Sequence, residues 1–175
     1  MTSYMKRSCK KAYKFYNNEL SNFKTVLKDT NNNLLSADRF NYNCMSYALG
    51  VYNKWLGLSS FDYSIDYDNE DSDIDYDYLK HIFEDCCQEL IWKYDLRRLS
   101  SSREQLEANE RMIAFRIGAD DFHFARKNSD GTWTHKPGQN YIRKMHEKEL
   151  LSDSWSEDTR IFPYVSEIAF FAVKI

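Results

Sequence analysis

Several features that mark membrane, secreted or nucleic-acid-binding proteins are missing from this sequence. No run approaches the ~18 consecutive apolar residues that cross a bilayer. The first residues, MTSYMKRSCKK, lack the apolar stretch of a signal peptide. The net charge is −3, so no overall basic field attracts nucleic acid. We therefore expect a cytoplasmic protein with neither a membrane nor a nucleic-acid partner.

Cysteine is also scarce, and its spacing argues against two further kinds of site. The four cysteines are Cys9, Cys44, Cys86 and Cys87. Cys86 and Cys87 are adjacent, and the set has neither the spacing of a disulfide framework nor that of a zinc site. We expect reduced thiols, as in a cytoplasm-like compartment, and no metal or other cofactor.

The chain does contain the material of a globular core. Of its 175 residues, 42% are hydrophobic and 16% are aromatic, which suits one domain spanning residues 1–175. Amphipathic spacing predicts three helices in the N-terminal half. They cover Ser8–Leu27, a stretch from near Cys44 to a stop at Gly57, and about Asp75–Leu96.

The pattern changes to that of strands from Met112 onward. Apolar and aromatic residues alternate or run together in MIAFRIG, FHFARK, TWTHK and EIAFFAVKI. Helices followed by strands predict an α+β fold, in which N-terminal helices pack on a mostly antiparallel sheet formed by the C-terminal half. Trp133 and Trp155 are predicted to pack in the core, and His146 to face solvent on a short polar helix.

Two segments between the predicted helices are expected to be loops. Asp29–Asn43 is rich in turn-forming residues. The segment at about 60–77 has eight carboxylates between Asp62 and Asp77 and no lysine or arginine, so self-repulsion predicts an exposed acidic loop. It matches a calcium loop poorly, because Asp71 stands where that loop needs glycine. Tyrosines interleaved with the acids make residues 62–77 a candidate surface for a basic protein partner.

Two histidines flank an Asp-Gly turn in DDFHFARKNSDGTWTHKPG. A three-residue loop, Ser129-Asp130-Gly131, places His123 and His135 on the same face of the hairpin, roughly 5–8 Å apart at the side-chain roots. A one-residue change of register would separate them. The alternative is that each histidine fills a half-buried sheet position without any shared role.

The stretch NYNCMSYALG presents a cysteine where loop gives way to helix. With Asn43 as the N-cap, Cys44 becomes the first helical residue, beside unpaired backbone N–H groups. That field favours the thiolate and is expected to lower the thiol pKa. The same N–H groups can hold an oxyanion. The alternative is a buried structural cysteine.

A nucleophilic cysteine, a histidine base and a third polar residue, in this chain order, resemble the papain-like cysteine hydrolases of the bacterial cell-wall endopeptidase type. YNCMSYAL is similar to their nucleophile motif, and HFARKNSDGTWTH to their His-strand-turn-strand-His motif. Bacterial proteins of unassigned role with a DGTWSHKPG-like hairpin are similar too. The resemblance implies a papain-like fold.

The resemblance also implies roles for individual residues. Cys44 would be the nucleophile, His123 the general base and then acid, and His135 the residue that orients His123. The oxyanion would be held by the Cys44 N–H group, with a polar group from one of three interchangeable neighbours, Asn41, Tyr42 or Asn43. The substrate would be a peptide, amide or other acyl compound, processed through an acyl-enzyme.

A second reading of the sequence assigns function to binding instead of catalysis. In that reading Cys44 is structural, and the acidic, tyrosine-rich loop 62–77 engages another protein, for instance as an inhibitor or a phage–host interaction protein. The usage of Asn, Lys and Tyr is typical of an AT-rich bacterial or phage genome.

Overall fold

The structure is a computed structural model, and it describes residues 27–28, 34–35, 41–52, 54–61, 76–118, 121–138, 142–152, 155, 164 and 166–175. The chain divides into two compact units, residues 1–38 and residues 39–175.

In the first unit, β1 (Leu27–Lys28) pairs antiparallel with β2 (Leu34–Leu35). The predicted helix over Ser8–Leu27 lies outside the described residues except for its last residue, which belongs to β1. The Leu34–Leu35 pair was expected in a loop and is extended instead. A strand of two residues is too short to show an alternation of apolar and polar residues, so the sequence pattern could not predict it.

A six-stranded antiparallel sheet dominates the second unit. Its strands are β3 (Arg97–Leu99), β4 (Glu110–Ile117), β5 (Phe122–Lys127), β6 (Trp133–His135), β7 (Arg143–Met145) and β8 (Ala169–Lys174). They are ordered β3-β8-β4-β5-β6-β7. The predicted α+β class and mostly antiparallel sheet are therefore confirmed. The edge strands β3 and β7 were missed, because each has three residues with only one buried side chain.

The helix that carries the cysteine is shorter than expected. Helix α1 spans Cys44–Leu49, and Gly50 ends it with a left-handed φ of 78°. The Gly50 N–H group bonds back to the Ser46 and Tyr47 carbonyls, which is how glycine terminates helices. The predicted stop at Gly57 was wrong because apolar residues keep a helical spacing beyond the true end.

Helix α2 spans Tyr76–Tyr94, close to the predicted Asp75–Leu96. Its buried residues are Leu79, Ile82, Phe83, Cys86, Cys87 and Leu90. Residues 62–75 of the predicted acidic loop lie outside the described residues, whereas Tyr76 and Asp77 form the first turn of α2. Helix α3 spans Glu147–Leu150, and His146 before it is exposed, as predicted.

Apolar clusters cover both faces of the sheet, because successive side chains of a strand point to opposite faces. Phe122 and Phe124 of β5 belong to one cluster, together with Cys44 and the buried residues of α2. Ala125 belongs to the other cluster, together with Trp133 and Trp155, so the predicted packing of both tryptophans is confirmed. No helix in the described part of the chain is long and apolar enough to cross a membrane.

Candidate functional site

The hairpin between β5 and β6 has the predicted register. Ala125 pairs with His135, and the Asn128 N–H group donates to the Thr132 carbonyl at 2.8 Å across the turn. Gly131 closes the loop with a left-handed φ of 82°, a conformation that glycine adopts without strain. His123 and His135 therefore extend from the same face, as the sequence indicated.

The two imidazoles are in direct contact. His123 Nε2 lies 2.9 Å from His135 Nδ1, and the two rings are nearly perpendicular, at 88°. Burial, reinforced by the neighbouring His135, lowers the His123 pKa to about 3. His123 is consequently neutral at physiological pH, with one ring nitrogen protonated.

Two aromatic rings pack on His123. Tyr164 stacks on the imidazole, with centroids 5.3 Å apart and planes inclined by 30°. The edge of Trp155 approaches at 6.2 Å. The Tyr164 hydroxyl donates to Asp121 Oδ2 at 3.3 Å, so the carboxylate next to the start of β5 helps to hold this cover in place. Tyr164 was not predicted from the sequence, because it is distant in the chain and belongs to no motif.

A hydrogen-bond network fixes the start of α1. The Asn43 side-chain carbonyl accepts from the Ser46 N–H group at 3.0 Å and from the Ser46 hydroxyl at 2.8 Å. The Asn43 amide donates to the Leu56 carbonyl at 2.6 Å. Asn43 is therefore the N-cap and Cys44 the first helical residue, as predicted. The network anchors the cysteine to the segment that follows α1.

The Cys44 sulfur is buried against β5. Its thiol donates to the Phe122 carbonyl at a sulfur–oxygen distance of 3.7 Å, and 6% of the residue is exposed. Desolvation raises the Cys44 pKa to about 12, although the nearby Phe124 and Met45 N–H groups act in the opposite direction. The expectation of a lowered thiol pKa was wrong, because the cost of burying an anion exceeds the effect of the helix start.

The end of β6 creates the space that the sulfur occupies. The ladder between β5 and β6 covers only Ala125–Lys127 of β5. The backbone groups of every second residue in a strand point to the same neighbouring strand. Asn128 directs its N–H group toward β6, so Phe122 and Phe124 direct their backbone groups to that side too, where β6 has already ended. Cys44 meets these two residues there, on either side of His123.

The predicted triad is only partly in contact. His123 and His135 are hydrogen-bonded, and the sulfur contacts the backbone that carries His123. Within the described residues, however, Cys44 forms no hydrogen bond with either imidazole. His123 alternates with Phe122 and Phe124 along β5, so its ring extends from the sheet face opposite to the cluster that contains the sulfur.

The three oxyanion candidates are now distinguishable. The side-chain amide of Asn43 is engaged at both ends, in capping α1 and in bonding Leu56. Tyr42 is buried, with its ring edge-on to Tyr52 at 5.3 Å. Asn41 is exposed and precedes the capped turn. Asn41 is thus the one whose side chain remains accessible beside α1.

Two buried cations near α1 were not anticipated. Lys136 Nζ lies 4.8 Å from the centre of the Tyr42 ring and donates to the Gly138 carbonyl. The Arg126 guanidinium lies 4.3 Å from the Tyr47 ring and donates to the Tyr52 hydroxyl at 2.9 Å. Both residues alternate with the histidines along the hairpin, so they lie on the opposite face, against α1. The predicted register was therefore sufficient to place them on that face. Charged residues are so rarely buried, however, that composition alone argues against them.

The other titratable clusters in the sequence provide no metal site. Cys86 and Cys87 are both buried in α2, and desolvation raises each thiol pKa to about 12. In the part of the chain that the structure describes, no three side chains of His, Cys, Asp or Glu are grouped as metal ligands.

A family model described as a domain of unknown function, DUF7689, matches residues 33–159, which is well over half of the chain. The chain belongs to the DUF7689 family. The matched DUF7689 region contains Cys44, the His123–His135 pair and Lys136, so all these residues lie within one family domain. No curated protein and no solved structure matches the chain significantly.

Proposed function

We propose that this DUF7689 domain is a papain-like thiol hydrolase or acyltransferase of the peptidase or amidase type, with Cys44 as nucleophile. One observation carries the proposal. The thiol at the start of α1 contacts backbone groups on both sides of His123, whose ring is already hydrogen-bonded to His135. The thiol and the imidazole pair thus meet the same three residues of β5, the thiol at the edge of the strand and the imidazoles on one of its faces.

The hydrogen bond between the imidazoles determines how His123 would act. When His123 Nε2–H donates to His135 Nδ1, the other ring nitrogen of His123 carries a lone pair. Because the ring and the sulfur lie on opposite faces of the sheet, this nitrogen accepts the Cys44 proton through a water molecule at the unpaired edge of β5, once the substrate has displaced the cover over His123. The sulfur then attacks the acyl carbon, a sulfur–carbon bond forms, and the bond to the leaving group breaks. His123 returns its proton to the leaving amine or alcohol, and a thioester on Cys44 remains.

The second half of the reaction regenerates the thiol. Water, or another acyl acceptor, gives a proton to His123 and attacks the thioester carbonyl. The carbon–sulfur bond breaks, and the proton passes from His123 to the departing sulfur. In both halves His135 Nδ1 accepts from His123, and holds the His123 ring in one tautomer and one orientation.

Burial of the site determines the protonation states from which the reaction starts. Because the thiol pKa is raised and the His123 pKa is lowered, the resting pair is neutral thiol and neutral imidazole. Proton transfer therefore accompanies attack, in place of a standing thiolate–imidazolium pair. The substrate must also displace the cover over His123, since only 4% of that residue is exposed.

The negative charge on the tetrahedral intermediate needs donors near the start of α1. The backbone N–H group of Cys44 belongs to the first turn, whose N–H groups have no partner within the helix. The Asn41 amide is the accessible side chain beside it. We assign these two groups to the oxyanion, in preference to Asn43, whose amide already caps the helix.

Covalent capture with a panel of small activated esters and thioesters, read by peptide mass spectrometry, tests the proposal. Cys86 and Cys87 are matched internal controls, because burial raises their thiol pKa to about 12, as it does for Cys44. We expect acylation of Cys44 but not of Cys86 or Cys87, and its loss in His123→Ala. Equal acylation of the three thiols, or full acylation without His123, would refute the proposal.

A second candidate function, protein binding, is favoured by the outer face of α2. Trp92 is 84% exposed, and Tyr76 and Tyr78 at the beginning of the helix are also exposed. The helix directly follows the acidic segment, so aromatic and acidic groups are contiguous in the chain. In this alternative Cys44 is a core residue, as its burial allows, and the partner is a basic protein.

Two variants separate the candidates. Deletion of residues 66–74 removes most of the acidic segment and leaves all of α2, which begins at Tyr76. Binding predicts that this deletion abolishes the biological effect of the protein, whereas Cys44→Ala preserves it. Catalysis predicts the reverse pair of results.

A further inference from the structure

We propose that Lys136 is a positioning residue whose buried ammonium group stabilises the negative charge that develops on Cys44 during acyl transfer. This inference rests on the proposed function, since a charge forms on the sulfur only if Cys44 reacts. It adds a charged residue to a site in which the sulfur otherwise has mainly apolar neighbours.

The backbone places Lys136 on the same side of the hairpin as the sulfur. Lys136 directly follows β6, and its side chain points away from the face that carries His135. It lies where β6 would continue opposite Phe124, whose N–H group is close enough to the sulfur to lower the Cys44 pKa. The lysine and the cysteine therefore approach the same unpaired end of β5.

A carbonyl and an aromatic ring contact the ammonium group. Nζ donates to the Gly138 carbonyl, and it lies over the ring of Tyr42, two residues before Cys44. Gly138 has a left-handed φ of 44°, and this local turn directs its carbonyl back to Lys136. None of the Lys136 residue is exposed, so solvent screens its field weakly.

The charges around the sulfur have opposite effects. Asp121 raises the Cys44 pKa and Lys136 lowers it. Strand β5 contributes two other titratable or charged groups near the sulfur. His123, at the beginning of the strand, is neutral at physiological pH. Arg126, on the α1 face, is engaged with Tyr47 and Tyr52. Removing the positive and the negative charge should therefore move the reactivity of Cys44 in opposite directions.

The test measures alkylation of Cys44 by iodoacetamide against pH, by mass spectrometry of the Cys44 peptide. Lys136→Met keeps the length of the side chain and removes the charge, Lys136→Arg keeps the charge, and Asp121→Asn removes the opposing charge. We expect Lys136→Met to shift the profile to higher pH, with about tenfold slower alkylation per unit of pKa at a fixed pH. Lys136→Arg should stay near wild type, and Asp121→Asn should react faster.

A change in packing alone would give a different pattern. Loosening of the site would speed alkylation in Lys136→Met and in Asp121→Asn, and would lower the melting temperature of both; that result overturns the inference. An unchanged profile in Lys136→Met overturns it as well. If Lys136→Met does not fold, Asp121→Asn decides together with its melting temperature. A faster rate at an unchanged melting temperature supports the charge balance, whereas an unchanged or slower rate, or a faster rate with a lowered melting temperature, overturns the inference. Failure of acyl capture in wild type would refute the proposed function alone, since alkylation does not depend on it.

Discussion

His123 Nε2 lies 2.9 Å from His135 Nδ1, although the two residues belong to different strands. A neutral imidazole has one donor and one acceptor nitrogen, so this contact fixes the roles of the facing atoms relative to each other. Burial keeps His123 neutral. The contact therefore orients His123 while burial keeps that residue neutral.

The orienting role of His135 predicts a graded response to substitution. His135→Ala removes the acceptor for His123 Nε2–H, and we expect acylation of Cys44 to slow by about 10- to 100-fold. His135→Asn supplies a side-chain carbonyl acceptor at similar reach and should retain most of the rate. The measurement is the initial rate of acyl capture. Equal loss in both variants would show that packing of the ring matters, and that the hydrogen bond does not.

The lowered pKa of His123 predicts a loss of stability in mild acid. In the unfolded chain His123 has a pKa near 6.5, and in the folded chain about 3. Between these values the unfolded state binds the extra proton, so stability is full above about pH 6.5 and falls as the pH decreases. The free energy of unfolding should decrease by up to about 1.4 kcal/mol per pH unit from this residue.

Urea denaturation at about pH 7, 6 and 5 measures this effect, with His123→Gln as the matched variant. Glutamine is polar and does not titrate, so its unfolding free energy should depend less steeply on pH than that of wild type. Parallel pH profiles for the two proteins would contradict the assignment of a buried, neutral His123.

The same pKa predicts how the reaction depends on pH. A base with a pKa of about 3 remains unprotonated in weak acid, so the rate of Cys44 acylation should stay level from about pH 8 to pH 5. An ordinary histidine base would lose activity below about pH 6.5. Capture rates in a buffer series of constant ionic strength test this, and an acid limb centred near pH 6.5 would contradict it.

The capping network of α1 makes a prediction about stability. Asn43→Ala removes two hydrogen bonds to Ser46 and leaves the Leu56 carbonyl without its amide donor. We expect the free energy of unfolding to fall by about 1–3 kcal/mol. Asn43→Asp keeps the acceptor for Ser46 but cannot donate to Leu56, so it should be less destabilising. Denaturant titrations of the three proteins measure the difference.

The parts of the fold that the sequence predicted are those with local signals. The alternation of apolar and polar residues predicted the central strands, and the Asp-Gly turn predicted the register of the hairpin. Asn43, as an N-cap residue, predicted the start of α1. The predictions that were wrong concerned properties that depend on contacts between residues distant in the chain. The thiol pKa was predicted from the helix start alone, whereas the packing of α2 and β5 around Cys44 determines it.

The candidate site shows the same division. Sequence spacing was sufficient to place His123 and His135 on one face, because both belong to one hairpin. It could not place Lys136, Asp121 or Tyr164 around them, because burial of a charged residue and stacking by a distant ring depend on the assembled chain. Helix α1 ended early for a local reason, the left-handed Gly50, which competed with a persistent apolar spacing.

The most direct test of the account compares acylation of Cys44 with that of Cys86 and Cys87 in wild type and in His123→Ala, in one mass-spectrometric experiment. All three thiols have a pKa raised to about 12 by burial, so their pKa values alone give no reason for one of them to react selectively. The account predicts selective capture at Cys44 that disappears without His123. Three equally slow thiols, or capture at Cys44 that is indifferent to His123, would contradict it.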